Sequence, residues 1–138
     1  MLLFNCTHER EPAALLAPLA QVHTAGTPFA AVCFTPNLAG VRGLGGDQTD
    51  TSVSAAATAS LQDQERMRDV WAGLLPPAAP AAATHVLPSV SAAVDVALDL
   101  AAASGRPVEV VCTGSLLLGG VLAAVLRERF HVDLVEHA

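Results

Sequence analysis

The residues of this sequence best suited to chemistry are Thr113, Gly114 and Ser115, which separate an apolar run from a long leucine-rich segment. The run at residues 110–112 is rich in β-branched side chains, so this order predicts a strand, a tight turn and a helix. The first N–H groups of a helix have no partner within it, and the helix dipole is positive there. The turn is therefore suited to bind an anion such as a carboxylate or a phosphate.

A second group of polar residues, Asn5, Thr7 and Arg10, follows the first apolar run of the chain. If that run is a parallel strand, these residues lie at the carboxyl edge of the sheet, where open α/β sheets bind ligands. The guanidinium of Arg10 can hold a carboxylate or phosphate through two hydrogen bonds. The alternative is a solvated arginine at a helix entrance, with Glu9 or Glu11 beside it.

The histidines and cysteines do not form a metal-binding pattern. The five histidines include no i,i+4 pair, and the three cysteines are widely separated, so no metal site is predicted. Such an odd set of cysteines near apolar runs is typical of buried, reduced thiols in an intracellular protein. The glycine-rich residues 40–50 are interpreted as a surface loop, because they lack the flanking strand and helix of a phosphate-binding loop.

The elements that must position these residues alternate between strand and helix. Continuous apolar runs predict strands buried on both faces of a sheet; they lie at residues 2–4, 29–34 and 108–112. Helices are predicted at residues 12–23, 54–71, 89–104 and 116–130. The alternation predicts an α/β fold with a mostly parallel, Rossmann-like sheet, helices on both faces and right-handed crossovers.

Several details of this arrangement follow from single residues. Pro18 is expected to kink or shorten the first helix, and Asn37 to order the turn after the second strand. Gly119 and Gly120 suggest close packing of the last helix against a strand. The Pro/Ala-rich stretch at about 73–84 is interpreted as an insertion loop. Residues 85–87 fit a short strand or the approach to a helix, and residues 132–135 fit a final edge strand.

Length, composition and charge exclude several classes of function. The chain has 138 residues, one domain's worth, of which 52% are hydrophobic and 14% charged, with a net charge of −6. No Lys/Arg cluster is available to bind nucleic acid. The apolar stretches are broken by prolines or turn residues, so no membrane span is predicted. The chain lacks a secretory signal at its start, which favours an intracellular location.

Four stretches, taken in order, resemble the C-terminal domain of animal folylpolyglutamate synthases, members of the Mur ligase superfamily of ATP-dependent amide-forming ligases. Residues 2–16 are similar to the segment Leu-Leu-Phe-Asn-x-Thr-x-x-Arg-Asp-Pro-Ala-Ala-Leu-Leu of these enzymes, and residues 34–38 to their Phe-x-Pro-Asn-Leu. Residues 69–71 match the position before a variable Pro-rich insertion. Residues 113–120 resemble Thr-Gly-Ser-Leu-x-Leu-x-Gly. The first and last stretches are the most specific.

The resemblance implies that residues 1–138 are a partial C-terminal, glutamate-ligase domain. The family's domain opens with a further strand ending in Asp-Gly-Ala-His, and the full enzyme has an N-terminal ATPase domain; neither is found in this sequence. Because the first strand of a doubly wound sheet is usually central, its loss is expected to leave unpaired edges and exposed apolar surface. The location implied is cytoplasmic, mitochondrial or both.

The reaction implied by the resemblance is the addition of glutamate to the γ-carboxylate of a folate. ATP activates that carboxylate as an acyl phosphate, Mg²⁺ neutralises the phosphates, and the amine of L-glutamate attacks. Both cofactors belong to the parent enzyme, and none is expected to be bound by this chain alone. No residue here is a convincing general base, so the chain is expected to position substrate and to be inactive without the missing ATPase domain.

The site residues implied by the resemblance fall into two groups. Ser115 is expected to contact the carboxylate of the incoming glutamate, with Thr113 and Gly114 as backbone donors. A simple N-cap role for Ser115 is compatible with this contact. The edge of the ATP or substrate site would include Asn5, Thr7 and Arg10. The alternative for the whole chain is a non-catalytic α/β module, or a degenerate gene product that kept part of the fold.

Overall fold

Strands and helices alternate along the chain. The computed structural model describes residues 1–7, 9–41 and 60–132. In chain order the elements are β1 (Leu2–Phe4), α1 (Pro12–Thr24), β2 (Ala31–Phe34), α2 (Gln62–Leu74), β3 (Ala83–Val86), α3 (Val90–Ser104), β4 (Val111–Thr113) and α4 (Leu116–Phe130).

The four strands of the described residues form one sheet in the order β3-β2-β1-β4, and every pairing is parallel. β1 is paired on both sides, with Leu3 opposite both Cys33 and Cys112. The carboxyl ends of β1, β2 and β4 therefore meet at one edge. This α/β fold with an all-parallel, Rossmann-like sheet confirms the predicted fold class.

Helices cover both faces of the sheet because side chains alternate in direction along each strand. Phe4 and Phe34 pack on one face against α1 and α2, where Leu16 and Trp71 are fully buried. Leu3 and Cys33 point to the other face and pack against α3 and α4. The strands β1 and β2 are buried throughout, which explains their continuous apolar sequence.

A buried histidine, His23, joins α1 to the segments before β2 and β3. Its ring stacks on Phe29 at 6.0 Å between centroids and meets Trp71 edge-on at 5.5 Å. The backbone N–H of Phe29 donates to Nδ1 at 2.9 Å. Nδ1 therefore carries no proton, and Nε2–H donates to the carbonyl of Pro80 at 2.8 Å.

The helix boundaries agree with the predictions where local capping residues define them. Glu11 caps α1, with Pro12 in its first turn. Ser89 caps α3, which ends at Gly105 with a left-handed φ of +64°. Pro18 does not shorten α1, which continues to Thr24, so that part of the expectation is wrong.

Three other boundaries or contacts differ from the predictions. α2 continues to Leu74 and β3 begins at Ala83, so the Pro/Ala-rich connection is shorter than predicted, at residues 75–82. β4 begins at Val111, three residues later than predicted. The close packing expected of Gly119 and Gly120 is wrong, since a Cβ atom on either would meet nothing within 4 Å. Both glycines face solvent.

Parts of three predicted elements lie outside the described residues. They are the glycine-rich loop beyond Val41, the first residues of the helix predicted to begin at residue 54, and the edge strand at 132–135 beyond Val132.

Apolar surface is exposed on the α3–α4 side of the sheet. Val110, just before the edge strand β4, is 37% exposed and lines this side, and Leu98 on α3 is 44% exposed. A cavity of about 410 Å³ lies between β1, α3 and α4, and its lining is largely apolar. Across residues 1–7, 9–41 and 60–132, no helix is long and apolar enough to cross a bilayer.

Candidate functional site

The carboxyl edge of the sheet brings together residues that are far apart in the sequence. Asn5 follows β1, Asn37 follows β2 and Ser115 follows β4. Asn5 Nδ2 donates to Asn37 Oδ1 at 3.0 Å, and Asn37 Nδ2 donates to Ser115 Oγ at 3.4 Å. Two of the predicted site residues, Asn5 and Ser115, are thus joined through Asn37.

The turn between β4 and α4 is held against the end of β1. Gly114 has a φ of +98°, which L side chains rarely adopt. A Cβ atom there would overlap the carbonyl oxygen of Asn5 and would lie 2.7 Å from Cε2 of Phe4. The backbone N–H of Asn5 also reaches the carbonyl of Thr113 at 3.5 Å. The turn therefore requires glycine, for both its backbone angle and its close approach.

Ser115 is the N-cap of α4. Its extended backbone has a φ of −151° and a ψ of 132°, and its Oγ accepts from the N–H of Leu118 at 3.4 Å. The capping role considered from the sequence is therefore confirmed. As the first two residues of α4, Leu116 and Leu117 have backbone N–H groups without partners inside the helix. These groups can donate to an acceptor outside the helix.

Arg10 lies beside this turn. Its Nη1 donates to the carbonyl of Gly114 at 3.5 Å, and its backbone N–H donates to the carbonyl of Thr7 at 3.0 Å. The side chain is exposed, which leaves most of its donors available. Glu11, one of the neighbours considered as its partner, instead caps α1 and lies 3.9 Å from Arg66. The structure thus places a cation next to the N-terminus of α4.

The sequence did not predict a contribution of Gln64 to this edge. Its Nε2 donates to Asn5 Oδ1 at 3.1 Å, although it lies on α2, on the opposite face of the sheet from α4. Gln64 lies in the polar, charged residues 62–69, which are typical of a solvated helix face. Its spacing from the buried Met67 and Trp71 was nevertheless informative, because residues 64, 67 and 71 share one helix face. Gln64 is only 5% exposed.

Thr35 contributes a hydroxyl without a partner at the same edge. It follows β2, and its backbone N–H donates to the carbonyl of Phe4, which places it beside Asn5 in the sheet. Its Oγ1 is the buried side-chain oxygen for which the described part of the chain offers no hydrogen-bond partner. Such groups are rare because each costs free energy.

The three cysteines are free thiols; Cys6 and Cys33 are buried as expected, whereas Cys112 is only half-buried. Burial raises the pKa of Cys33 and of Cys112 to about 11. Burial also raises the pKa of Cys6, and the nearby guanidinium groups of Arg10 and Arg66 partly oppose this shift. All three thiols are therefore protonated at neutral pH, which makes them poor nucleophiles.

The donors at this edge fit an anion. They are amide and hydroxyl hydrogens, backbone N–H groups and one guanidinium. Within the described ranges, no group of three or more His, Cys, Asp or Glu residues could hold a metal ion. Mg²⁺ prefers carboxylate and phosphate oxygens, so the described residues of this edge do not fit a Mg²⁺ ion.

Comparisons of the chain with protein-family models, with curated proteins and with solved structures give no match. The grounds for a function are therefore the geometry of this edge and the resemblance of the four stretches.

Proposed function

We propose that this chain is the glutamate-binding part of the C-terminal lobe of a folylpolyglutamate synthase, which adds glutamate to the γ-carboxylate of folates. The observation that supports it best is the convergence at one sheet edge of the stretches that resemble this family. Asn5 and Arg10 belong to the first stretch, Asn37 to the second, and Gly114 and Ser115 to the last. Open α/β sheets bind ligands at this edge, so these three stretches lie where a ligand site is expected.

The proposed ligand contact is a carboxylate of L-glutamate at the N-terminus of α4. The proposed donors are the N–H groups of Leu116 and Leu117, the hydroxyl of Ser115, and the guanidinium of Arg10, which lies beside Gly114. Each favours negative charge, and together they fit a carboxylate better than an ammonium group.

In this proposal the chain binds and orients glutamate and supplies no covalent catalysis. The cysteine thiols are protonated, and no described residue of the edge is placed as a base. In the proposal, ATP, Mg²⁺ and the phosphate-binding machinery belong to the ATPase domain of the parent enzyme. The contribution is positioning and electrostatic stabilisation. The proposal also includes folate as the second substrate and an intracellular location.

Ser115→Ala is expected to remove most of the response of the chain to L-glutamate. The measurement is a titration followed by the backbone amide signals of Leu116 and Leu117. Ser89→Ala is the matched control, because it removes the equivalent cap of α3 and also costs about 1 kcal/mol of stability. Equal glutamate responses of the two variants would contradict the proposed contact. No response in the unchanged protein would favour the non-catalytic module.

The chain alone is expected to form no amide bond. Incubation with ATP, Mg²⁺, a reduced folate and isotopically labelled glutamate should give no labelled folate, because the described residues of the edge offer neither a Mg²⁺ site nor a base. Product formation above that of a heat-denatured sample would show that the chain contains the whole ligase site. That result would overturn the assignment of ATP chemistry to a separate domain.

A further inference from the structure

We infer that Gln64, through Asn5 and Asn37, positions the hydroxyl of Ser115 as a hydrogen-bond donor toward the ligand and so selects a carboxylate. Gln64 is thus a positioning residue that acts from the opposite face of the sheet. This inference rests on the proposed function, since it takes the ligand at the turn to be a carboxylate of glutamate.

The hydrogen bonds run in one direction from α2 to α4. Gln64 Nε2 donates to Asn5 Oδ1 at 3.1 Å, and Asn5 Nδ2 donates to Asn37 Oδ1 at 3.0 Å. Asn37 Nδ2 then donates to Ser115 Oγ at 3.4 Å. Each amide accepts through its oxygen and donates through its nitrogen. Such a chain polarises each member in the same sense and strengthens the donor at its end.

The end of this chain is the hydroxyl hydrogen of Ser115. A serine hydroxyl has two acceptor positions and one hydrogen to donate. Both acceptor positions are used, one by Asn37 Nδ2 and one by the N–H of Leu118. No group among the described residues accepts the hydrogen, which is therefore left to donate to a ligand. A carboxylate oxygen accepts this hydrogen, whereas an ammonium group cannot.

The burial of the three amides supports a specific role. Asn5, Asn37 and Gln64 are 6%, 3% and 5% exposed. Burying polar side chains costs free energy unless each is paired, so these residues hold one another in a fixed orientation. The hydroxyl of Thr35, beside Asn5, is buried and has no partner. This second observation indicates that the described residues do not satisfy every hydrogen-bonding group at this edge.

A substitution of Gln64, the first donor, can reverse the direction of these hydrogen bonds. In Gln64→Glu, a carboxylate faces Asn5, and Asn5 is expected to turn its Nδ2 toward it. Asn5 Oδ1 then faces Asn37, which turns its own Nδ2 toward Asn5 and its Oδ1 toward Ser115. The Ser115 hydroxyl would now donate to Asn37 Oδ1 and would be lost to the ligand.

The experiment is a titration of the full chain with L-glutamate, followed by NMR, for Gln64→Glu and for Gln62→Glu. Gln62 lies on the same helix but is exposed, so its substitution adds the same charge without touching the amide chain. We expect the Kd for L-glutamate to rise about tenfold in Gln64→Glu, the effect of losing one hydrogen bond to a charged group. Gln62→Glu should leave it within about twofold, because an exposed charge is screened.

A second measurement uses the unchanged protein and does not depend on the stability of a variant. The side-chain amide signals of Asn37 and Asn5 should shift with the same saturation curve as the backbone amides of Leu116 and Leu117. A role confined to holding the fold would leave the two side-chain signals unmoved.

The outcomes separate this inference from the proposed function. If Leu116 and Leu117 respond to L-glutamate but Gln64→Glu binds it as tightly as Gln62→Glu, the positioning role is wrong and the glutamate site stands. Unmoved side-chain amides alongside responding backbone amides also reject the positioning role. If no amide of the unchanged protein responds, the glutamate site and the positioning role are both wrong.

Discussion

Gly114→Ala is expected to lower the free energy of unfolding by about 3 kcal/mol, the sum of backbone strain and overpacking. The φ of +98° is strained for alanine, and the new Cβ atom would overlap the carbonyl oxygen of Asn5. The neighbouring Phe4 ring, 2.7 Å from that position, is buried in the core and cannot move aside freely. The turn would have to leave the end of β1.

The loss should also reach the proposed site. Displacing the turn separates the carbonyl of Gly114 from Arg10 and moves Ser115 away from Asn37, so the response to L-glutamate should fall together with stability. Urea denaturation measures the first effect and the amide titration the second.

Gly119→Ala provides the contrast within the following helix. A Cβ atom at this position meets nothing within 4 Å, and glycine costs helical stability. The substitution is therefore expected to raise the free energy of unfolding by about 0.5–1 kcal/mol. If the two alanine variants shifted the denaturation midpoint in the same direction, the structural requirement for glycine at 114 would be rejected.

The sequence predicts the central strands and the capped helices well because their determinants are local. β1 and β2 are apolar at every position since helices cover both faces, and the caps Glu11, Ser89 and Ser115 are adjacent to the helices they begin. β4 is less predictable. Its start at Val111 is fixed by pairing with Leu2 across the sheet. The local sequence before Val111 does not indicate where this pairing begins.

The candidate site is predictable only in part for the same reason. The turn at Gly114 and the cap at Ser115 follow from a strand that passes directly into a helix. The contact of Gln64 with Asn5 joins residues 59 positions apart and depends on where α2 packs. In the sequence, only the position of a polar residue on the apolar stripe of α2 indicates that Gln64 is buried. That pattern does not predict that its partner is Asn5.

His23→Leu is expected to lower the free energy of unfolding by about 2–3 kcal/mol, although leucine fills much of the same volume. The buried N–H of Phe29 would lose its acceptor, Nδ1 of His23. Leaving one buried donor unpaired costs about 1–3 kcal/mol. The carbonyl of Pro80 would also lose its donor. This second loss costs less free energy, because Pro80 is exposed.

The ring contacts of His23 add to this effect. The ring stacks on Phe29 and meets Trp71 edge-on, and leucine cannot reproduce either geometry. Because Phe29 precedes β2 and Pro80 precedes β3, the loss should loosen the β2–β3 side of the sheet. Amide hydrogen exchange should therefore accelerate in β3 more than in β4.

His85→Leu is the appropriate control for His23→Leu. His85 lies on the edge strand β3 and is partly exposed, so replacing it should change stability by no more than about 0.5 kcal/mol. Thermal or urea denaturation of the two variants under the same conditions gives the comparison. If His23→Leu proved as stable as His85→Leu, the hydrogen bonds of His23 would contribute nothing net. The attachment of α1 to the sheet would then rest on apolar packing around Trp71 alone.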